Sequence, residues 1–126
     1  MDAEALRAEI AALAPWHHDV EVAPGLRTAD APAVSAARPE LGTAALIRPD
    51  EGLAALFEDL FPDGFVGRSM LDCACNAGGY LFAAQRLGAS RGLGFDAREH
   101  WIDQARFLAR HLPSDRLRFD ACTLDA

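Results

Sequence analysis

The chain opens with apolar residues at helical spacing, Leu6, Ile10 and Leu13, set among Glu4, Arg7 and Glu9. That pattern predicts a short amphipathic helix over residues 1–13, ended near Pro15. Val20 and Val22 then alternate with polar neighbours before Pro24-Gly25, the signature of a strand entering a tight turn. From Ala29 to about Thr43 Ala and Pro dominate without periodicity, and the stretch reads as a connector or a flap. Leu53, Leu56, Phe57 and Leu60 form one stripe of a second helix, with Asp50 as its candidate cap and Pro62-Asp63-Gly64 as its break.

Beyond Gly64 the pattern becomes strand, turn and helix in repetition. SMLDCAC is a short apolar run, NAGG a turn, and YLFAAQRL a helix stopped by Gly88; RGLGF is a second strand ending in Asp96. Trp101, Ala105, Leu108 and Leu112 share a face of the next helix, Pro113 stops it, and RLRFDACTL is a third strand. Strands are expected near 69–74, 91–95 and 117–122, with helices near 79–87 and 99–111. Alternation of this kind implies an α/β fold with a parallel sheet and right-handed crossovers. The first of the three strands is expected to be innermost.

The chemistry concentrates in LDCACNAGG at 71–79 and in Asp96, which lies 18 residues beyond Gly78. A small-residue turn between a strand and a helix N-terminus lets a ligand approach the backbone, and an acid closing the next strand can take two ribose hydroxyls. The GxGxxG turn that cradles a pyrophosphate is missing, since Ala74 and Asn76 stand where its first glycines would fall. Asp72 sits just before the turn, where a carboxylate would repel pyrophosphate and attract a sulfonium and an ammonium. Singly, Asp72 and Asp96 read as ordinary helix caps. Together on successive strand ends, they favour a nucleoside ligand that carries positive charge.

These residues resemble motif I of the class I S-adenosylmethionine-dependent methyltransferases, D/E-x-G-x-G-x-G, in its variant LD-x-G/A-C-N-x-G-G/F. In that resemblance Asp72 is the acid, Ala74 and Asn76 replace two glycines and Gly78 keeps the third. Asn tolerates a left-handed backbone well, and Ala74 is tolerable where backbone φ is negative. The resemblance implies that Asp72, Ala74, Cys75, Asn76, Ala77 and Gly78 bind S-adenosylmethionine. It makes Asp96 the ribose ligand, with Ala97 and Trp101 near the adenine; Trp101 reads equally well as core. It also implies a Rossmann-like parallel sheet with flanking helices, truncated after about three of seven strands. PWHHDVEVAPGLRT further resembles the W-[HY]-H-x-I-x-L-x-x-G-[IV]-x-T lead-in of a subgroup that includes enzymes modifying the wobble uridine of tRNA. The division expected is an N-terminal helix and lead-in segment over 1–48, then the first half of a methyltransferase domain over 49–126.

The remaining features narrow this reading slightly. Net charge is −7 and Lys and Arg are not clustered, which disfavours an extended nucleic-acid surface within these residues. No apolar run suits a membrane span and the N-terminus does not resemble a leader, so the expectation is a cytoplasmic protein. Cys73 and Cys75 are expected to be buried, free and on one side of a strand, without a metal, although His17 and His18 stand nearby in sequence. Trp16 reads as a packed aromatic, His17 and His18 as surface histidines, and Leu81 and Phe82 as core. No D/N-P-P-[YF] motif is present, so catalytic residues and the methyl acceptor, RNA or a small molecule, stay unassigned. A non-catalytic nucleoside-binding module and a nicotinamide or flavin oxidoreductase are the alternatives.

Overall fold

The computed structural model describes residues 2–31 and 46–125 of the 126-residue chain. Most of the stretch read as a connector or flap lies outside the described residues. Helix α1, Ala3–Ala12, begins where the Asp2 carboxylate accepts the Ala5 N–H at 2.8 Å, satisfying a donor that the first turn leaves free. Strands β1, Glu21–Ala23, and β2, Leu26–Arg27, pair antiparallel. They turn through Pro24 and Gly25, whose φ of +73° suits glycine.

Helix α2 spans Pro49–Leu60 and departs from expectation in two ways. Arg48 is its N-cap and Pro49 takes the first position, because proline is preorganised for the start of a helix. Asp50 therefore lies inside the first turn instead of capping it, and pairs at 2.5 Å with Arg86 of the next helix. The stripe also divides. Leu53 is buried with Phe65, Ala83, Ala84 and Ala89, whereas Leu56 and Leu60 are 50% and 59% exposed. Only a narrow face of α2 meets the next helix.

The sheet consists of β3, Ser69–Cys73, β4, Arg91–Asp96, and β5, Leu117–Ala121, in that order and all parallel. Crossover helices are α3, Gly79–Arg86, and α4, Glu99–His111. The middle strand is β4, not the first strand as expected. Each helical crossover carries the chain one strand further in the same direction, so the second strand gains neighbours on both sides. Among the described residues nothing pairs with the other edge of β3.

Strand β4 explains how closely α3 approaches. A Cβ on Gly92 would stand 2.9 Å from Leu81, and one on Gly94 would stand 2.7 Å from Leu81 and 2.9 Å from the Cys75 sulfur. Glycine on the helix side lets Leu81 press onto the backbone. The apolar side chains of β4 therefore fall on the opposite face, where Leu93 lies beside Leu71 in register and Leu71 is 60% exposed. The helix side holds the main core, to which the N-terminal segment contributes Leu6, Ile10, Trp16, Val20 and Val22. Gln104, buried on α4, donates 2.7 Å hydrogen bonds to the carbonyls of Leu13 and Pro15 and ties that segment to the sheet layer.

Candidate functional site

Because β3 and β4 are parallel, Asp72 and Asp96 come to the same edge of the sheet, the carboxyl edge where α/β folds of this kind bind ligands. Between them runs the turn 74–78, with φ of +60° at Ala74, +54° at Asn76 and +80° at Gly78. Asn76 takes the left-handed backbone expected of it. Ala74 does not have the negative φ at which alanine is readily tolerated. Its left-handed conformation brings Cβ close to the following carbonyl and costs ~1–2 kcal/mol.

Hydrogen bonds hold this turn against β4. The Cys75 N–H donates to the Phe95 carbonyl at 2.9 Å, and the Gly78 N–H to the Cys75 carbonyl at 2.9 Å. Asn76 accepts the Ala77 N–H on its own side-chain oxygen at 2.7 Å. The Asn76 N–H donates to Asp96 Oδ2 at 3.0 Å, and the Arg98 N–H to Asp96 Oδ1 at 3.0 Å. Asp96 is thus a structural acceptor with both oxygens engaged, each keeping a further lone pair.

Asp72 differs. Its Oδ2 is buried and has no hydrogen-bond partner among the described residues. Burial first, and the neighbouring Asp96 carboxylate second, raise its pKa above the ordinary aspartate value. A carboxyl oxygen left without a partner beside another acid is an electrostatic cost that a nearby cation would offset.

The other expected positions divide. Ala97 is exposed next to Asp96, at the same edge. Ala77 and Gly78 are buried beneath it, and Gly78 lies against the Phe119 ring with no space for a Cβ. Cys75 points into the core, where burial, with Asp72 and Asp96, pushes its thiol up to about 12. Cys73, by contrast, is exposed, correcting the expectation that both thiols are buried on one side. Strand alternation stops at Cys73, and the left-handed Ala74 turns Cys75 inward. Trp101 is 2% exposed, with His17 at 4.6 Å and His100 at 4.8 Å between ring centroids, so its indole is enclosed.

Sequence reasoning missed His18. It was expected at the surface and is instead 3% exposed, with its Nδ1 accepting the Gly79 N–H at 3.0 Å. Trp16, His18, Val20 and Val22 stand at every second position and are all buried, although Asp19 between them is buried as well through its pairs with Arg27 and Arg48. That spacing was the available signal. Among the described residues no group of three or more His, Cys, Asp or Glu side chains is arranged to hold a metal, and no helix is long and apolar enough to cross a membrane.

A parallel sheet with helical crossovers, a small-residue turn after one strand and an acid closing the next defines a Rossmann-like α/β fold. Solved structures share it. The N-terminal domain of EvdMO1 with SAH bound matches at a TM-score of 0.69 and 21% identity, over 99% of this chain and 49% of that one. The same domain in the presence of SAH and D-fucose matches at 0.63 and 19%, over 95% and 44%. EvdMO1 itself matches at 0.64 and 19%, over 95% of this chain and 24% of that one. The chain therefore spans about half the length of the EvdMO1 N-terminal domain. No protein-family model and no curated protein matches it.

Proposed function

We propose that this chain binds S-adenosylmethionine and forms the cofactor-holding part of a methyltransferase. The observation that carries the reading is the half-buried Asp72 carboxylate near the end of β3, whose buried Oδ2 has no hydrogen-bond partner among the described residues. A pyrophosphate would be repelled there, whereas a ligand with a sulfonium and an ammonium would be drawn in. The shared fold with a domain crystallised with SAH supports the same ligand class.

In this reading Asp72 attracts the positive end of the cofactor, and Asp96 offers its remaining lone pairs to the ribose hydroxyls while holding the turn through Asn76. Ala74, Cys75, Asn76, Ala77 and Gly78 contribute backbone at the turn, and Ala97 stands exposed beside the expected adenine. Trp101 supports that wall from inside. When bound, the cofactor would supply a sulfonium-borne methyl group for transfer to an acceptor. The chain's part in that step is to fix the donor, since methyl transfer depends on in-line placement.

Residues 1–48 are the lead-in and 49–126 the cofactor half of the domain. The acceptor is RNA or a small molecule; the resemblance of PWHHDVEVAPGLRT supports tRNA uridine among the RNA candidates. Three free thiols, Cys73, Cys75 and Cys122, suit the reducing cytoplasm.

Thermal shift with S-adenosylmethionine, S-adenosylhomocysteine and NAD tests the reading. The first two ligands, at about 100 times their dissociation constants, should each stabilise the chain by ~2.7 kcal/mol, and NAD should not. Stabilisation by NAD alone would sink the proposal.

A further inference from the structure

We infer that His18 is a positioning residue for the cofactor turn, holding the start of α3 in its binding shape through the Gly79 N–H; the inference rests on the cofactor reading above. Gly79 opens α3, where no preceding helical turn supplies a carbonyl for its N–H. The imidazole supplies the acceptor from a residue 61 positions away in sequence, in a buried bond of 3.0 Å. A backbone amide can only donate, so Nδ1 is unprotonated and His18 is neutral; burial, and then His17, lower its pKa to about 4.

The imidazole is itself fixed. The His18 carbonyl accepts the Thr28 hydroxyl at 2.6 Å, and that oxygen accepts the Val20 N–H at 3.0 Å. The Asp19 N–H donates to the Ile47 carbonyl at 2.8 Å, and the Ile47 N–H to the His17 carbonyl at 2.9 Å. The Tyr80 ring meets His18 edge-on at 5.6 Å. At Gly79 there is no spare volume, since a Cβ would stand 2.5 Å from Pro49 Cγ and 2.8 Å from His18 Nδ1. The lead-in segment, α2 and α3 therefore converge on one backbone position.

This convergence adjoins a strained loop. Two non-glycine residues of the turn are left-handed, a conformation that persists only where the surroundings over-determine it. Asp96 fixes one end of the turn at Asn76, and His18 fixes the other at Gly79. Without the second anchor the strained turn is held at one end only and loses its preset shape beside Asp72 and Asp96.

His18→Asn keeps an acceptor near the Nδ1 position, whereas His18→Phe keeps the ring volume and loses the acceptor. Amide hydrogen exchange on the ligand-free chain reads the anchor, and calorimetric titration with S-adenosylhomocysteine reads its effect on binding. In His18→Phe the Gly79 amide should exchange at least tenfold faster, with the β4 amides unchanged, and affinity should fall about tenfold. His18→Asn should restore both to within threefold of the parent chain. Unchanged exchange and affinity in His18→Phe overturn the inference, as does equal damage in His18→Asn. Should His18→Phe not fold, His18→Gln takes its place, since its longer side chain carries the acceptor past Nδ1. Absence of binding to the parent chain, with exchange behaving as expected, overturns the cofactor reading and leaves the anchor standing.

Discussion

Asp96 holds Asn76 across the carboxyl edge of the sheet, its Oδ2 accepting the Asn76 N–H at 3.0 Å from the adjoining strand. One carboxylate thus ties β4 to the turn after β3, and the residue expected to bind ribose also builds the loop beside it. Deleting it should be felt in stability and in binding alike. Asp96→Ala leaves the Asn76 and Arg98 amides without their acceptors, which should cost about 1–3 kcal/mol in denaturant unfolding. It should weaken S-adenosylmethionine and S-adenosylhomocysteine equally and by tenfold or more, because both carry the same ribose. Affinities within twofold of the parent chain, alongside the stability loss, would show that Asp96 serves the loop alone.

Asp72→Asn should move stability and affinity in opposite directions. The native carboxyl is disfavoured as an anion by burial and by Asp96, so its folded pKa is raised and its ionisation subtracts from stability as pH rises past the unfolded value. Asparagine removes that charge at similar size. Unfolding at pH 7 should show a gain in stability, while S-adenosylmethionine binding falls more than S-adenosylhomocysteine binding, since only the former carries a sulfonium. Equal losses for the two ligands would remove the charge argument.

Ala74→Gly should stabilise the chain. Glycine relieves the left-handed penalty of ~1–2 kcal/mol and adds back ~0.4–1 kcal/mol of unfolded-state freedom, leaving a net gain of up to ~1.6 kcal/mol. Ala74→Val should destabilise, because a β-branched side chain tolerates that backbone least. Thermal or urea unfolding of both variants checks the sign.

The pH dependence of unfolding should carry a contribution from His18. Its folded pKa, about 4, lies below the ordinary value of 6.5, so the unfolded chain binds more protons between these limits. Stability is therefore lost as pH falls from about 6.5 to about 4, by up to roughly 3 kcal/mol from this group. His17 also has a lowered pKa, while Asp19 is paired with Arg27 and Arg48, and Tyr80 faces the ring from α3. The difference between the parent chain and His18→Asn isolates the single residue: the variant should show a visibly flatter profile over that window in urea unfolding.

Local pattern was enough to place the three parallel strands and the helices between them, and to bring Asp72 and Asp96 to successive strand ends. Residues 91–96 read as a strand and 99–111 as a helix because apolar period and turn residues act over a few positions, and the Asp72–turn–Asp96 sequence is equally local. What needed the tertiary structure was everything set by contact between distant elements. The order of the strands follows from which way the crossovers step, and β4 lies in the middle where the sequence suggested β3. Leu56 and Leu60 share a stripe with Leu53 yet stay exposed, because burial depends on what a helix meets and not on its own period. Cys73 and Cys75 part company because backbone φ at Ala74, set by the bonds that hold the turn to β4, reverses the direction of the next side chain. Above all, the bond from Gly79 to His18 joins positions that no sequence period relates, and only packing of the lead-in segment against α2 and α3 brings them within 3.0 Å.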